Sequence, residues 1–101
     1  MTTFPIDARK PFAAQVDVSE DSLTVHLIDG RVLSVPIDWY PRLAAASRPE
    51  RDNWRLIGRG EGIHWADVDE DISVDSLLLG QGSGESQHSL QKWLQSRAAT
   101  G

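Results

Sequence analysis

His64 lies in the run Ile63-His64-Trp65-Ala66-Asp67-Val68-Asp69-Glu70-Asp71, where an imidazole is followed by aspartates three, five and seven residues on. A histidine oriented by a carboxylate is the working half of many acid–base sites, and a nucleophile and a cleft must complete it. Such a pair needs both side chains on one face of the fold. A histidine between apolar Ile63 and Trp65 also suits an ordinary strand surface, and no substrate class accompanies it. No catalytic residue is therefore assigned.

The other chemical motifs fail on spacing. Gly58-Arg59-Gly60-Glu61-Gly62 lacks the Gly-Lys-Ser/Thr end of a phosphate loop and the glycine spacing of a dinucleotide fingerprint, so it is read as a turn. Counting from Asp67, the sixth and twelfth positions of a calcium loop fall on Ile72 and Leu78, where glycine and glutamate are required. His26, His64 and His88 show no metal-ligand spacing, and Gly82-Ser83-Gly84 has no flanking strand and helix to make a nucleophile elbow. Neither a metal nor a cofactor is expected.

Composition narrows the classes further. The 101 residues are 40% apolar and 25% charged, as in a single globular domain. No apolar run approaches the ~20 residues of a membrane span, and Met1-Thr2-Thr3-Phe4-Pro5 shows no secretory leader. The chain has no cysteine, so disulfides and thiolate sites are excluded and a cytoplasmic location is expected. A net charge of −5 disfavours non-specific nucleic-acid binding. The charge is segmented: Arg42, Arg48, Arg51, Arg55 and Arg59 face two acids between 42 and 59, whereas 67–75 holds five acids and no base. This describes either a solvated surface or a polarised one for a charged partner. Trp54 and Trp65 read as core; Trp39 and Tyr40, beside Pro41-Arg42, read as interface candidates.

The elements that must position these residues follow from periodicity. Residues 1–12 read as an irregular lead-in. Val16 and Val18 suggest a first strand; Leu23, Val25 and Leu27 alternate with polar residues in a second. Asp29-Gly30 marks a hairpin. A three-residue loop, Ile28-Asp29-Gly30, pairs Val25 with Leu33 and Leu23 with Val35, and gives Gly30 the left-handed position. Pro36 ends the third strand. Asp38 is read as the N-cap of a helix through Leu43 to Ala46, and Ser47-Arg48-Pro49-Glu50 as a second helix start. Trp54-Leu56-Ile57 and Ile63-His64-Trp65 follow as strands. The acids after Asp67 are read as cap and turn residues, and Ser73 as the cap of a helix ending at Gly80. Residues 81–86 have linker composition. Leu90, Trp93, Leu94 and Ala98 recur at helical spacing, in a C-terminal helix that docks on the domain, binds a partner or frays.

Together these imply an α+β domain over 1–80, a small antiparallel sheet with short helices packed on it, a linker at 81–86 and a helical tail at 87–101. In that order, Asp29-Gly30-Arg31, Val35-Pro36-Ile37, Trp39-Tyr40-Pro41-Arg42-Leu43, Gly62-Ile63-His64-Trp65, Asp69-Glu70-Asp71-Ile72-Ser73-Val74 and Leu77-Leu78-Leu79-Gly80 resemble a small bacterial family, domain of unknown function 2442. The resemblance spans roughly 12–80. Ala66 departs from it, a proline being expected there, which bears on local turn rigidity. The resemblance implies the same α+β fold and no defined activity. It also implies gene neighbourhoods shared with a small RelE-like or similarly uncharacterised partner, in arrangements that look like toxin–antitoxin pairs. Some members carry a helix-turn-helix, for which 81–101 has no room.

The expected function is a non-enzymatic module that binds a small protein partner, antitoxin-like, through Trp39, Arg42, Arg59, His64, Asp69, Glu70 and Asp71. Arg42 is alternatively structural, tying its helix to the acidic turn by a bidentate pair. The competing expectation is a regulator that binds nucleic acid as a dimer through the arginine segment, a monomer being an unlikely DNA binder.

Overall fold

A computed structural model describes residues 11–100, with the side chains of 99 and 100 excepted. The first ten residues of the expected lead-in lie outside the described residues. Among the described residues, six strands and four α-helices follow one another as β1 (Ala13–Val18), β2 (Ser22–Leu27), β3 (Val32–Pro36), α1 (Pro41–Ala44), α2 (Arg48–Asp52), β4 (Trp54–Ile57), β5 (Gly62–Trp65), β6 (Glu70–Ser73), α3 (Val74–Leu78) and α4 (Gln87–Thr100). The strands form two antiparallel three-stranded meanders, β1-β2-β3 and β4-β5-β6. The arrangement is α+β, with two sheets where the sequence suggested one.

The first meander keeps the expected register: Val25 opposes Leu33, Leu23 opposes Val35, and the loop is Ile28-Asp29-Gly30. Gly30 sits at φ +93°, a region that costs a side chain steric strain, while the Asp29 carboxylate accepts from the Arg31 backbone N–H at 3.0 Å. Arg31 also holds the Asp29 carboxyl below its ordinary value through its side-chain hydrogen bond. In β1 a bulge between Ala13 and Gln15 puts both Ala13 and Val16 on the buried face.

Asp38 does not cap a continuous helix. A proline needs an extended residue before it, so Tyr40 takes φ −130°, ψ 84° and separates a 3-10 turn, Ile37–Trp39, from α1, which opens on Pro41. At α2 the expected cap is present as a full capping box: Ser47 Oγ accepts from Glu50 N, and Glu50 accepts from Ser47 N. α3 begins at its Ser73 cap and ends in paired bonds, Gly80 N to Leu77 O and Gln81 N to Ser76 O, with Gly80 at φ +73°.

The acidic stretch departs most from expectation. Only Asp67–Asp69 turn; Glu70–Ser73 is a strand paired with β5. Val68, Glu70, Ile72 and Val74 are all buried, so the alternation of an inward face runs through the acids. One core joins the sheets and helices, with Leu23, Leu43, Ile63, Trp65 and Val68 at 0% exposure. Ala13 N donates to Gly60 O at 2.7 Å and Val74 N to Glu61 O at 3.0 Å, so the β4–β5 turn is tied to both β1 and α3.

Among the described residues, no helix is long and apolar enough to cross a membrane.

Candidate binding face and the buried glutamate

The second meander sorts its residues cleanly between two faces. Trp54 opposes Trp65 and Trp65 opposes Glu70; Leu56, Ile63 and Ile72 make the next row, and both rows face the core. The opposite face carries Arg55, His64 and Asp71 directly across the three strands, then Ile57, Gly62 and Ser73. His64 Nδ1 and Asp71 Oδ1 are hydrogen-bonded, so the pair suggested by sequence exists. Ile57 is 38% exposed, and it borders a shallow depression of about 370 Å³ lined also by Glu61, Gly62, Asp71 and Ser73. The Ser73 hydroxyl at its rim donates to Ser76 Oγ and accepts from Ser76 N, which commits it to the α3 cap.

The structure groups only some of the residues singled out by sequence. His64 and Asp71 are together on the outer face, and Arg59 is in the exposed turn at the end of β4. Asp69 precedes β6 at φ +51° in the turn from Ala66. Trp39 is half-buried against the core, and its carbonyl accepts from Ser83 N at 2.9 Å. Tyr40, an interface candidate by sequence, is a core residue at 3% exposure, because the tight Ile37–Trp39 turn drives its ring inward. Burial raises its phenol pKa, and the hydroxyl donates to Gln81 O at 3.0 Å.

Arg42 works inside the chain. Its Nη1 reaches the acidic turn at Val68 O, 3.0 Å away, while the bidentate pair goes to Glu85, at 2.8 and 2.6 Å. That partnership raises the guanidinium pKa and lowers that of Glu85. Ser89 Oγ donates to the same carboxylate at 2.7 Å. On α4, the Trp93 ring lies 4.8 Å from the guanidinium carbons of both Arg42 and Arg97, a double cation–π contact. Arg97 forks onto Glu50 at 2.7 and 3.1 Å and pulls that carboxyl down to about 2. Residues 81–86 have no regular secondary structure, but Gln81, Ser83 and Glu85 all bond to the body. Of the three outcomes for the terminal helix, docking is the one observed.

Three arginines of the segment bond within the chain, while Arg48, Arg55 and Arg59 are exposed. Besides Arg42, Arg48 donates to Val18 O at 2.7 Å, and Arg51 donates to Leu43 O, Ala44 O and Ser19 O at 2.9–3.1 Å. Arg51 thereby satisfies the carbonyls left open at the end of α1 and, with Arg48, those at the end of β1.

Glu70, expected from sequence among the surface residues that bind a partner, is instead buried, because it falls on the inward phase of β6. Its side chain is turned inward beside Trp65, the residue is 9% exposed, and burial lifts its carboxyl to about 7 despite the opposing field of Arg42. The signal was available in the alternation of Val68, Glu70, Ile72 and Val74. No three His, Cys, Asp or Glu side chains among the described residues are grouped to hold a metal ion.

The comparisons agree with this fold. A protein of unknown function from Rhodospirillum rubrum ATCC 11170 superimposes with a TM-score of 0.65 at 28% identity, over 77% of this chain and 96% of its own. An uncharacterised protein from Chromobacterium violaceum, solved by solution NMR, shares the fold with a TM-score of 0.61 at 22% identity, over 72% and 70% of the two chains. No curated protein matches. The sequence profile of the family described as "Protein of unknown function (DUF2442)" matches residues 13–82, which takes in both sheets, α1 to α3 and the Tyr40–Gln81 contact, and the chain belongs to that family.

Proposed function

We propose that the chain is a non-enzymatic module that binds a small basic protein through the outer face of the second sheet. One observation carries this most: Ile57 stands exposed beside the 370 Å³ depression, ringed by Glu61, Asp71, His64 and Arg55. An apolar centre with a charged rim is the usual make-up of a protein-binding patch. The net charge of −5 favours a basic partner through long-range steering. An antitoxin-like role, in which the module masks a basic surface of its partner, is the version the family resemblance suggests. Nucleic-acid binding draws less support, because Arg42, Arg48 and Arg51 spend their guanidinium groups on carbonyls and carboxylates of the same chain. Retention of a partner by the native chain, and its loss on altering Ile57 and Asp71, is the deciding test.

A further inference from the structure

Beneath the segment 81–86 lies a second, smaller cavity of about 180 Å³, whose lining includes Tyr40, Glu70, Asp71, Ser76, Ser83 and Gly84. At about 30 Å³ per water it has room for several waters or for a small head group. Glu70 is more than nine-tenths buried and lines this space. Among the described residues nothing hydrogen-bonds to its carboxylate, yet none of its oxygens is sealed off from a water probe, so they open into the cavity. A carboxyl so far buried, touched by water only through the cavity, holds its proton more tightly than an exposed one. Here it has a place waiting in front of it.

We propose that this cavity is a binding site for an organic ammonium group, with the Glu70 carboxylate as its anchor. The cavity shares the wall Asp71 to Ser73 and Ser76 with the outer-face depression, whereas Tyr40, Glu70, Ser83 and Gly84 line the cavity and not the depression. Around Glu70 stand three further carboxylates, Asp69, Asp71 and Glu85; among the described residues Arg42 opposes them, itself forked onto Glu85, and His64 is hydrogen-bonded to Asp71. Tyr40 is a further titratable neighbour. The field therefore selects a cation. A metal ion finds too few ligands, since no suitable cluster of three exists among the described residues. An ammonium needs acceptors, and beside Glu70 the lining holds Ser76, whose hydroxyl accepts from Ser73 Oγ, and Ser83, whose hydroxyl accepts from Glu85 N, each with one lone pair left to offer. A Cβ placed on Gly84 would meet nothing within 4 Å, which leaves that side open for entry. The ammonium has two sources, a free small amine or a lysine side chain of a protein partner.

Binding to the ionised carboxylate carries a pH signature. With Glu70 held near 7, the ionised fraction rises about tenfold between pH 6 and pH 8, and affinity for a primary amine, which stays protonated over this range, follows it. The test is an amide chemical-shift titration of the full chain with n-butylamine, with putrescine and with Nα-acetyl-lysine methylamide. Saturable shifts at Ser76 and 82–84 are expected, about tenfold tighter at pH 8 than at pH 6, and at least tenfold weaker in Glu70→Gln. The tighter ligand among the three identifies the source. The pH ratio, read on the native chain, decides the matter should Glu70→Gln not fold. Shifts that are absent, that persist unchanged in a folded Glu70→Gln, or that ignore pH overturn the proposal.

Discussion

Arg42 and Glu85 stand forty-three positions apart and are joined by two parallel hydrogen bonds, Nε to Oε1 at 2.8 Å and Nη2 to Oε2 at 2.6 Å. The pair is four-fifths or more buried on both sides, at 15% and 13% side-chain exposure. Arg42 at the same time covers Trp93, so one side chain fixes both the irregular segment and the helix that follows it. The tail is held to the body by charge and ring faces more than by aliphatic packing.

A double-mutant cycle of Arg42→Ala and Glu85→Ala is expected to show a coupling of about 1–2 kcal/mol, above that of an exposed pair. Each single change should release α4 before the body unfolds, visible as faster hydrogen exchange of amides in 87–98 while those of β2 and β5 keep their protection. Simultaneous loss of protection in tail and sheets would contradict this division.

Gly60 adopts φ +104°, and a Cβ there would run into the backbone of Ala13, whose N–H bonds to Gly60 O. Gly60→Ala should destabilise the chain by about 2–4 kcal/mol in chemical denaturation, because neither backbone can yield without breaking the link between the sheets. Gly84→Ala has open space around it and should cost about 1 kcal/mol or less.

The hairpin register was legible in the sequence because only the three-residue loop puts Leu23, Val25, Leu33 and Val35 on one face. Ser47 and Ser73 were equally readable, since a hydroxyl before a helix has a local partner. β6 was hidden because Asp69, Glu70 and Asp71 mask an alternation that depends on Ile72 and Val74. The roles of Arg42, Arg48 and Arg51 were hidden for a different reason. Their acceptors are carbonyls and a carboxylate distant in the chain, so charge counting saw a surface where the fold has internal ties. The outer face was half visible: His64 with Asp71 could be paired by residue type, but Ile57 joins them only through strand register.

The pH dependence of stability has two opposing parts. Glu70 keeps its proton up to about 7 against an ordinary 4.5, so the folded state binds more protons than the unfolded chain in that interval. Stability from this group is full below about 4.5 and falls as pH rises to about 7. The ideal magnitude is about 3 kcal/mol, and contact with the solvated cavity brings it nearer about 1–2. Glu50, held at about 2, acts oppositely: its stabilisation is full above about 4.5 and is lost as pH falls through about 2, about 1 kcal/mol after screening. Urea denaturation from pH 3 to pH 8 should therefore show Glu70→Gln gaining on the native chain between pH 4.5 and 7. Glu50→Gln should begin to lose its deficit as pH falls from about 4.5 to 3. A pH-independent Glu70→Gln difference would refute the buried-carboxyl assignment.

The outer face is tested most directly by co-purifying the tagged native chain from its own cells beside two double variants, with bound proteins identified and their stoichiometry measured. Ile57→Asp with Asp71→Lys disrupts the face, while Glu20→Lys with Asp21→Lys alters a distant exposed turn by the same sign of charge. The expected result is a small basic protein near one-to-one with the native chain and the turn variant, and absent from the face variant. A partner held equally by all three would contradict the assignment of the face, and a native chain that holds no protein would contradict the binding-module function itself.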